Sequence, residues 1–351
     1  MEYDITTIPI PLDIIEGLKN AAILGRGGAE YPAFKKWQAV RAASSTVKYV
    51  ICNASEREPD VRKDFHILQH HPDLVFEGMK IALRTVGATE GLPSKASATE
   101  GIFNMNAEYH DKLKTGLDAR IAAAKEEGFA LRIFRESPSY IGGEETALLN
   151  AIEGRRCEPR LRPPFPVAQG LYGKPTLVHN VETLHDAALV ARGTYDGRRF
   201  YTVSGLAPNP GVYRLPATHT ALQVLEETGN VPREPFFAQV GGGASGIVLN
   251  ADQLARQAVH GSGAVVVHLC TEDPRQLLLH WLAFYRNESC GKCTPCREGT
   301  YQLAKMAEES KRIPWKEMQP ILDVLEKTSF CALGRSVPVP ILSYYHNVLG
   351  K

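Results

Sequence analysis

The sequence has no long hydrophobic run, and no apolar stretch approaches the length of a membrane-spanning helix. It also has no excess of either charge, because 40 lysines and arginines stand against 39 aspartates and glutamates, for a formal net charge of +1. That balance disfavours a strongly basic nucleic-acid surface and a polybasic membrane anchor. Internal repeats and low-complexity tracts are absent as well. We therefore expect a globular protein without nucleic-acid binding or direct membrane insertion, and 351 residues suggest two or three domains.

The N-terminal residues show neither a basic segment nor an apolar segment of the kind that directs secretion. The seven cysteines are an odd number, which fits thiols and metal ligands better than disulfides. We therefore expect a reducing, cytoplasmic location, with the chain peripheral to a membrane where it belongs to a larger complex. Cys52, Cys157 and Cys270 are interpreted as ordinary thiols.

Four cysteines near the C-terminus carry the strongest chemical signal. Cys290, Cys293 and Cys296 have C-x-x-C-x-x-C spacing, and Cys331 follows at a distance. Three such thiolates can bind three corners of one cubane, and a distant cysteine can bind the fourth iron. Zinc is the alternative, but structural zinc sites usually present two separated pairs of ligands. The spacing predicts a [4Fe-4S] cluster, which transfers one electron at a time.

Hydrophobic patterning divides the chain into three textures. The first half alternates strand and helix signals, which predicts an α/β layered domain with ligands at the strand ends. A proline- and arginine-rich connector covers 155–166. From about residue 200 two strands, a helix and a third strand suggest a small β-grasp-like unit, and from residue 274 the pattern is helical. The predicted helices are 12–24, 73–86, 144–153, 220–228, 276–286, 299–310 and 320–327, and the predicted strands are 47–52, 201–205, 211–215, 237–241 and 264–269.

Three short motifs are weak signals when each is taken alone. The glycine cluster at 25–29 could bring backbone N–H groups and Arg26 or Lys36 to a phosphate, but such clusters are commonly plain turns. It also lacks the spacing of the dinucleotide fingerprint. The acidic segments 53–59 and 140–146 could bind a ligand or could cap the following helix.

Two further features leave their alternatives open. Phe165 lies on a proline-rich turn, where it could stack on a planar ring or fill a core. His66, His70 and His71 show no metal-ligand spacing and are interpreted as structural.

In order, these motifs resemble one family, the NADH-binding FMN/[4Fe-4S] flavoprotein subunit of respiratory complex I (the F subunits of NADH dehydrogenase), whose module also occurs in NAD-linked hydrogenases and formate dehydrogenases. The resemblance covers roughly residues 15–345. The motifs are Gly-Arg-Gly-Gly-Ala (25–29), Cys-Asn-Ala-x-Glu-x-Glu-Pro (52–59), Gly-Glu-Glu-Thr-Ala-Leu (143–148), Glu-Gly-Arg-Arg (153–156), Pro-Pro-Phe-Pro (163–166), Asn-Val-Glu-Thr (180–183) and Glu-Ser-Cys-Gly-x-Cys-Thr-Pro-Cys-Arg (288–297).

The resemblance implies an NADH dehydrogenase (quinone)-type oxidoreductase subunit. FMN would accept a hydride from NADH, and single electrons would pass to the [4Fe-4S] cluster and on to iron–sulfur partner subunits. The implied architecture is a Rossmann-like FMN-binding domain (1–195), a β-grasp, ubiquitin-like SLBB domain (196–265) and a C-terminal helical bundle that binds the cluster (266–351).

The resemblance also implies site residues, position by position. No side chain would act as catalytic acid or base, because the flavin N5 carries the chemistry. The implied FMN residues are Gly25, Arg26, Gly27, Gly28, Lys36, Asn53, Glu56, Tyr140, Gly143, Glu144, Asn180 and Thr183. The implied NADH residues are Tyr31, Glu58, Glu145 and Phe165, and the implied cluster ligands are Cys290, Cys293, Cys296 and Cys331.

Several positions depart from the family pattern around the flavin. Those departures are Glu30 for glycine, Ser55 for an aspartate that touches flavin, His179 for the first of two asparagines, Ala39 for a large apolar residue, Gly142 for cysteine, and the segment 92–99, which does not match the family's strand. The alternative prediction is therefore a [4Fe-4S] relay or scaffold subunit of a related hydrogenase or formate dehydrogenase-type complex, with altered or lost NADH and FMN binding. A zinc-stapled binding module without redox chemistry is a third, more remote hypothesis.

Overall fold

The computed structural model describes residues 13–87 and 98–350. These residues form two compact units, which are described separately. Unit 1 comprises the described residues of Met1–Ser55, Asp64–Ser137 and Leu161–Gly197, and unit 2 those of Glu56–Lys63, Pro138–Arg160 and Arg198–Lys351. Residues 92–97 of the segment that departs from the family strand lie outside the described residues.

Helices and strands alternate in the first half of the chain, and helices dominate the last quarter. The helices are α1 Ile14–Asn20, α2 Ala33–Ala42, α3 Lys63–His70, α4 Pro72–Gly87, α5 Ala107–Glu126, α6 Glu145–Ile152, α7 Pro166–Gln169, α8 Val181–Ala191, α9 Ala221–Glu227, α10 Ala251–Leu254, α11 Pro274–Glu288, α12 Thr294–Glu309, α13 Trp315–Thr328, α14 Ala332–Ser336 and α15 Pro338–Asn347. The strands are β1 Val47–Ala54, β2 Ala98–Met105, β3 Leu131–Arg135, β4 Thr176–Asn180, β5 Arg198–Gly205, β6 Gly211–Pro216, β7 Phe236–Val240, β8 Ile247–Asn250 and β9 Ala264–Leu269.

Unit 1 is built on a parallel sheet with strand order β3-β2-β1-β4. Its central strand β1 carries the fully buried run Val50, Ile51 and Cys52, as expected of a strand covered on both faces. Helices α4 and α8 approach closely, because a Cβ at Gly78 would lie 2.0 Å from the carbonyl oxygen of Leu184. Glycine is therefore required at this helix crossing.

The carboxyl ends of three adjacent strands of this sheet carry asparagines in register. Asn53 of β1 pairs with Asn104 of β2 on one side and with Asn180 of β4 on the other. Since parallel strands end at the same edge, the three amides form a row at the edge where ligands of open α/β sheets bind. The predicted α/β layering of this part of the chain is confirmed.

Unit 2 contains a mixed sheet with strand order β6-β5-β9-β7-β8, in which only the β5–β9 pair is parallel among the described strands. Helix α9 begins with a capping box formed by Thr220 and Gln223. Its buried face, with Val224 and Leu225, belongs to the same core as Tyr201 and Val203 of β5.

Helices α11 to α15 share a second core in unit 2. Trp281, Leu303, Leu325 and Ile341 are buried in it together with Phe237 of the mixed sheet. No helix in the described part of the chain is long and apolar enough to cross a membrane.

The predicted elements are found, with shifted ends. Helix α1 ends early because Ala22 has a positive φ of 50°. Helix α12 begins five residues before the predicted start, because Pro295 fits its first turn. Helix α13 begins at Trp315 and contains Pro320 in its interior, so proline was a wrong start signal there. The predictions missed β2, β3, β4, β8, α2, α3, α5, α7, α8, α10, α14 and α15.

Candidate functional site

The glycine loop between α1 and α2 packs against the turn that follows β4. The Gly25 amide donates to the carbonyl of Tyr31 at 2.9 Å, which closes the loop. Gly28 has a φ of 113°, a conformation that favours glycine. A Cβ at Gly27 would lie 3.4 Å from the Cβ of Asn180. The loop therefore lies against one end of the asparagine row.

Arg26 ties this loop to helix α8. Its backbone amide donates to the Thr183 hydroxyl at 3.0 Å. The side chain is only 5% exposed, and its Nε lies 3.8 Å from a carboxylate oxygen of Asp186. Burial works to lower the pKa of Arg26, but Glu182 and Asp186 raise it above its ordinary value. The guanidinium thus compensates buried carboxylates, while a phosphate role for it stays a prediction.

Asn180 organises the end of β4. Its Oδ1 accepts from the Glu182 amide at 3.0 Å and so caps α8, while its Nδ2 donates to Asp64 at 2.5 Å. Asn53 holds its own turn, because its Oδ1 accepts from the Ser55 amide at 3.3 Å. Both amides are partly exposed at the sheet edge.

Ser55, one of the departures from the family pattern, is hydrogen-bonded to a buried carboxylate. The Ser55 hydroxyl donates to Glu136 at 2.8 Å, and Asn104 Nδ2 donates to the other Glu136 oxygen at 3.2 Å. Glu136 is 3% exposed, directly after β3. A carboxylate is therefore present at this edge of the sheet, supplied by a different strand. The sequence predictions missed Glu136 and Asn104, for which only their positions at strand ends were a signal.

His179, another departure, is a buried neutral acceptor. The indole Nε1 of Trp37 donates to its Nε2 at 2.8 Å. Burial lowers the pKa of His179 well below its usual range, and the nearby Lys36 lowers it further. Lys36 itself donates to the carbonyl of Val178 at 3.4 Å.

Three positions predicted to face the nicotinamide lie on the surface of unit 1. Tyr31 is 49% exposed and Phe165 is 53% exposed, so both rings are available for stacking. Ala39 is exposed on α2. Glu30 has a φ of 49°, a left-handed conformation that explains why the family pattern has glycine there.

In unit 2, Glu58 is the acceptor for a whole loop. One carboxylate oxygen accepts from the Ala244 amide at 3.0 Å, the Ser245 amide at 2.8 Å and the Ser245 hydroxyl at 2.9 Å. The other accepts from the Tyr140 hydroxyl at 2.6 Å. A Cβ at Gly242 would lie 2.2 Å from Glu58 Oε1, so glycine is needed for this approach. Burial and then Glu58 raise the pKa of Tyr140 well above its usual range.

Glu144 and Glu145 begin helix α6. Glu144 is the N-cap residue, and one of its oxygens accepts from the amides of Thr146 and Ala147 at 3.0 and 2.9 Å. The interpretation of this motif as a helix cap is therefore supported for Glu144. Glu145 lies in the first turn, Gly143 ends a 3-10 turn that begins at Tyr140, and Glu56 lies partly buried in the loop after β1.

The four predicted cluster cysteines are placed at helix ends in one core. Cys290 lies in the loop after α11, Cys293 is the N-cap of α12, Cys296 lies in its first turn, and Cys331 is the N-cap of α14. Cys296 and Cys331 are buried in the core of α11 to α15, and Cys290 and Cys293 pack against it. The Phe330 amide points at the Cys293 sulfur at 3.5 Å, and the Ser289 hydroxyl lies 3.4 Å from the Cys296 sulfur.

The chemistry of this thiol set fits an iron–sulfur cluster. Burial, with the neighbouring cysteines, raises the pKa of Cys296 to about 11. Burial also raises the pKa of Cys331, against the opposing effect of the Leu333 and Gly334 amides. Such thiols become thiolates only beside a strong positive charge, which iron supplies.

The spacing of the thiols bears on the zinc alternative. Across 13–87 and 98–350, no group of three or more histidine, cysteine, aspartate or glutamate side chains is arranged to hold one metal ion. A zinc ion needs its ligands around a single centre, whereas a cubane presents a separate iron to each cysteine. The arrangement therefore fits the cluster better than it fits zinc.

Two family models match the chain in the regions that contain these sites. The Nuo51 FMN-binding domain matches residues 18–188, and the NADH-ubiquinone oxidoreductase-F iron-sulfur binding region matches residues 276–348. The NADH-quinone oxidoreductase F subunit 2 of Rhizobium meliloti (strain 1021) is 33% identical, over 92% of this chain and 84% of that protein. The chain belongs to the family of NADH-quinone oxidoreductase F subunits. It is an electron-transfer oxidoreductase subunit with an FMN-binding domain and a [4Fe-4S] region, and the predicted family, cofactors and enzyme class are confirmed.

Hydrogenase subunits are similar to this member of the F-subunit family as well. The NAD-reducing hydrogenase HoxS subunit alpha of Cupriavidus necator is 34% identical, over 95% of this chain and 59% of that protein. A crystal structure of NAD+-reducing [NiFe]-hydrogenase in the H2-reduced state matches with a TM-score of 0.86 and 31% identity, over 95% of this chain. The chain spans 60% of that hydrogenase chain.

Proposed function

We propose that this chain oxidises NADH through FMN and delivers single electrons, by way of the [4Fe-4S] cluster, to an iron–sulfur partner subunit. Bound FMN supplies a hydride acceptor that releases its electrons singly. The protein supplies binding and orientation. The observation that carries the proposal is the packing of the glycine loop on the asparagine row, through Gly27–Asn180 and Arg26–Thr183.

In unit 1 the loop Gly25–Gly28 and the α8 N-terminus offer backbone N–H groups to a phosphate. The asparagine row offers amides to a flat polar ring, and the exposed rings of Tyr31 and Phe165 offer stacking surfaces to NADH. The unit 2 residues proposed to contact the flavin are Glu56, Tyr140, Gly143 and Glu144, and those proposed to contact NADH are Glu58 and Glu145.

We further propose the finer architecture that the family resemblance implies. The β3-β2-β1-β4 sheet belongs to a Rossmann-like FMN-binding domain over 1–195, the mixed sheet to a β-grasp, SLBB-like domain over 196–265, and α11 to α15 to a cluster-binding helical bundle over 266–351. The mixed sheet and the helix α9, which shares its core, support the β-grasp assignment.

The partner in this proposal belongs to a multisubunit redox complex. The similar proteins are subunits by name, of NADH-quinone oxidoreductase and of NAD-reducing hydrogenase. The four cluster cysteines are the one redox-ligand set that the sequence analysis identified, so a further acceptor has to come from a partner chain. Peripheral attachment to a membrane through such a complex is part of the proposal.

A second candidate is a relay or scaffold subunit that keeps the cluster but has altered NADH or FMN binding. Glu30 favours it, because the side chain adds negative charge and a strained backbone to a loop that would approach phosphates. Glu136 argues against it, because this residue restores a carboxylate beside Ser55.

The test is anaerobic purification, FMN and iron reconstitution, and titration with NADH under absorbance and electron paramagnetic resonance (EPR) detection. We expect flavin bleaching followed by a reduced-cluster signal. A cluster that dithionite reduces but NADH does not would establish the relay subunit instead. Cys293→Ser should lose the cluster signal, whereas Cys157→Ser, which removes a thiol from the same core, should keep it.

A further inference from the structure

Three arginines bind backbone carbonyls of the two loops that carry the cluster cysteines. Arg156 Nη2 donates to the carbonyl of Cys290 at 2.6 Å. Arg297 Nη1 donates to Gly291 at 2.8 Å, and Arg335 Nε donates to Ser329 at 2.8 Å. Each carbonyl belongs to a cluster ligand or to a residue within two positions of one.

The three side chains reach these loops from separate places in the chain. Arg156 lies in the segment after α6, in the Glu-Gly-Arg-Arg motif, to which neither cofactor binding nor catalysis assigned a role. Arg297 lies in α12 and Arg335 in α14. Together they surround the loops with fixed positive charge, because a guanidinium stays protonated at any physiological pH.

Hydrogen bonding alone does not account for three arginines here. Arg156 and Arg297 keep 68% and 49% of their side-chain surface exposed, so water can reach the same carbonyls. Acidic neighbours offset part of the charge, since Arg156 lies 3.5 Å from Glu158 and Arg297 lies 2.9 Å from Glu298. Within the described residues, no carboxylate is in ion-pair distance of Arg335, so its charge is not offset.

Positive charge beside a cluster has a defined consequence. Reduction adds one negative charge to the cluster and its four thiolates, so nearby cations stabilise the reduced form. Cluster potentials depend on net charge, on hydrogen bonding and on solvent exposure. Removal of one cation should therefore lower the potential without removing a ligand.

We propose that Arg156, Arg297 and Arg335 are positioning residues that hold the two cysteine loops and raise the reduction potential of the cluster. The Glu-Gly-Arg-Arg motif then serves the cluster through Arg156. The proposal rests on a cluster at the four cysteines and is independent of NADH and FMN binding, so failure of the proposed NADH chemistry leaves it standing.

The experiment compares Arg156→Gln, Arg297→Gln and Arg335→Gln with Arg156→Lys in the full chain. The matched control is Arg275→Gln, because Arg275 also donates to backbone carbonyls, at Ala307 and Lys311, away from the cysteine loops. Iron content is measured first, and the cluster is then titrated with dithionite and redox mediators under EPR detection.

We expect full iron content and, in each glutamine variant, a shift of about threefold to tenfold toward the oxidised cluster, where tenfold is about 59 mV for one electron. Arg156→Lys should restore most of the wild-type potential, and Arg275→Gln should not change it. High salt should shrink the differences, because the charges are exposed.

Wild-type potentials in all three glutamine variants with full iron would overturn the proposal. Iron loss in Arg156→Gln and Arg156→Lys alike, with unshifted potentials in the Arg297 and Arg335 variants, would also overturn it, since the arginines would then be structural only. Iron loss in Arg156→Gln that Arg156→Lys prevents would support it.

Discussion

The Tyr140 hydroxyl donates to the Glu58 carboxylate at 2.6 Å, so a residue predicted to contact FMN is bonded to one predicted to contact NADH. The second Glu58 oxygen is engaged by the loop at Ala244 and Ser245. Tyr285 in turn donates to the carbonyl of Ala244 at 2.9 Å and lies 3.2 Å from the Ser336 hydroxyl, close to the Cys331 loop. Glu58 therefore belongs to a hydrogen-bonded network that extends to the cluster helices, in addition to any contact it makes with NADH.

This network predicts a stability role for Glu58. Glu58→Gln removes the charge and turns one oxygen into a donor that faces the Tyr140 hydroxyl, so we expect unfolding free energy to fall by about 1–3 kcal/mol. The measurement is urea unfolding of protein without nucleotide. Tyr140→Phe is the control, because it keeps the Glu58 carboxylate and its loop contacts. An unchanged unfolding curve for Glu58→Gln would restrict the residue to NADH contact.

Local patterns were sufficient for some of these sites and insufficient for others. The cysteine spacing and the glycine loop could be predicted, because ligand spacing and turn preference are properties of a few consecutive residues. The bond between Ser55 and Glu136 could not, since 81 residues separate them and neither residue lies in a motif. The need for glycine at 242 was likewise hidden, because it arises from the approach of the distant Glu58.

Helix assignments failed for a related reason. Helix α5 has a weakly amphipathic sequence, and its buried face is limited to residues such as Tyr109 and Leu117, so periodicity gave little signal. Pro320 is a strong local start signal, yet packing of Met318, Leu322 and Leu325 extends α13 across it.

Glu30 provides a test of backbone strain. With φ at 49°, Glu30→Gly should stabilise unit 1 by about 1 kcal/mol, because glycine adopts this conformation without a Cβ clash. Glu30→Ala removes the same charge and keeps the strain, so it should give no comparable gain. Thermal unfolding separates the two variants. Equal stabilisation by both substitutions would attribute the effect to charge instead.

His179 should make stability depend on pH in one direction. Its pKa is lowered in the folded protein, first by burial and then by Lys36, so below the unfolded value of about 6.5 the unfolded chain binds a proton that the folded chain does not. Stability from this group is therefore fully present above that pH and falls as the pH decreases, by up to about 1.4 kcal/mol per pH unit.

The measurement is urea unfolding of wild type and His179→Asn at several values between about pH 7.5 and about pH 5.5. Loss of the bond from Trp37 lowers the stability of the variant at every pH, so the readout is the slope. Burial also lowers the pKa of His66 and His268, so a residual slope is expected in the variant. Parallel slopes for the two proteins would contradict the assignment.

Ser55 and Glu136 predict that the family's aspartate cannot simply be restored at position 55. Ser55→Asp replaces a donor with a carboxylate beside the buried Glu136 carboxylate, so we expect a loss of about 1–3 kcal/mol in unfolding free energy. Ser55→Asp combined with Glu136→Ser exchanges the two groups and should recover most of that loss. Ser55→Ala is the control for loss of the hydrogen bond alone.

The same double-mutant cycle reports on the flavin. If the Glu136 carboxylate takes the place of the missing aspartate, Glu136→Gln should weaken FMN binding, and the exchanged pair should bind FMN more tightly than Ser55→Asp alone. Fluorescence quenching of free FMN on titration with each variant gives the dissociation constants. Additive effects of the two single substitutions on both stability and FMN affinity would show that the carboxylates act independently and that Glu136 does not replace the aspartate.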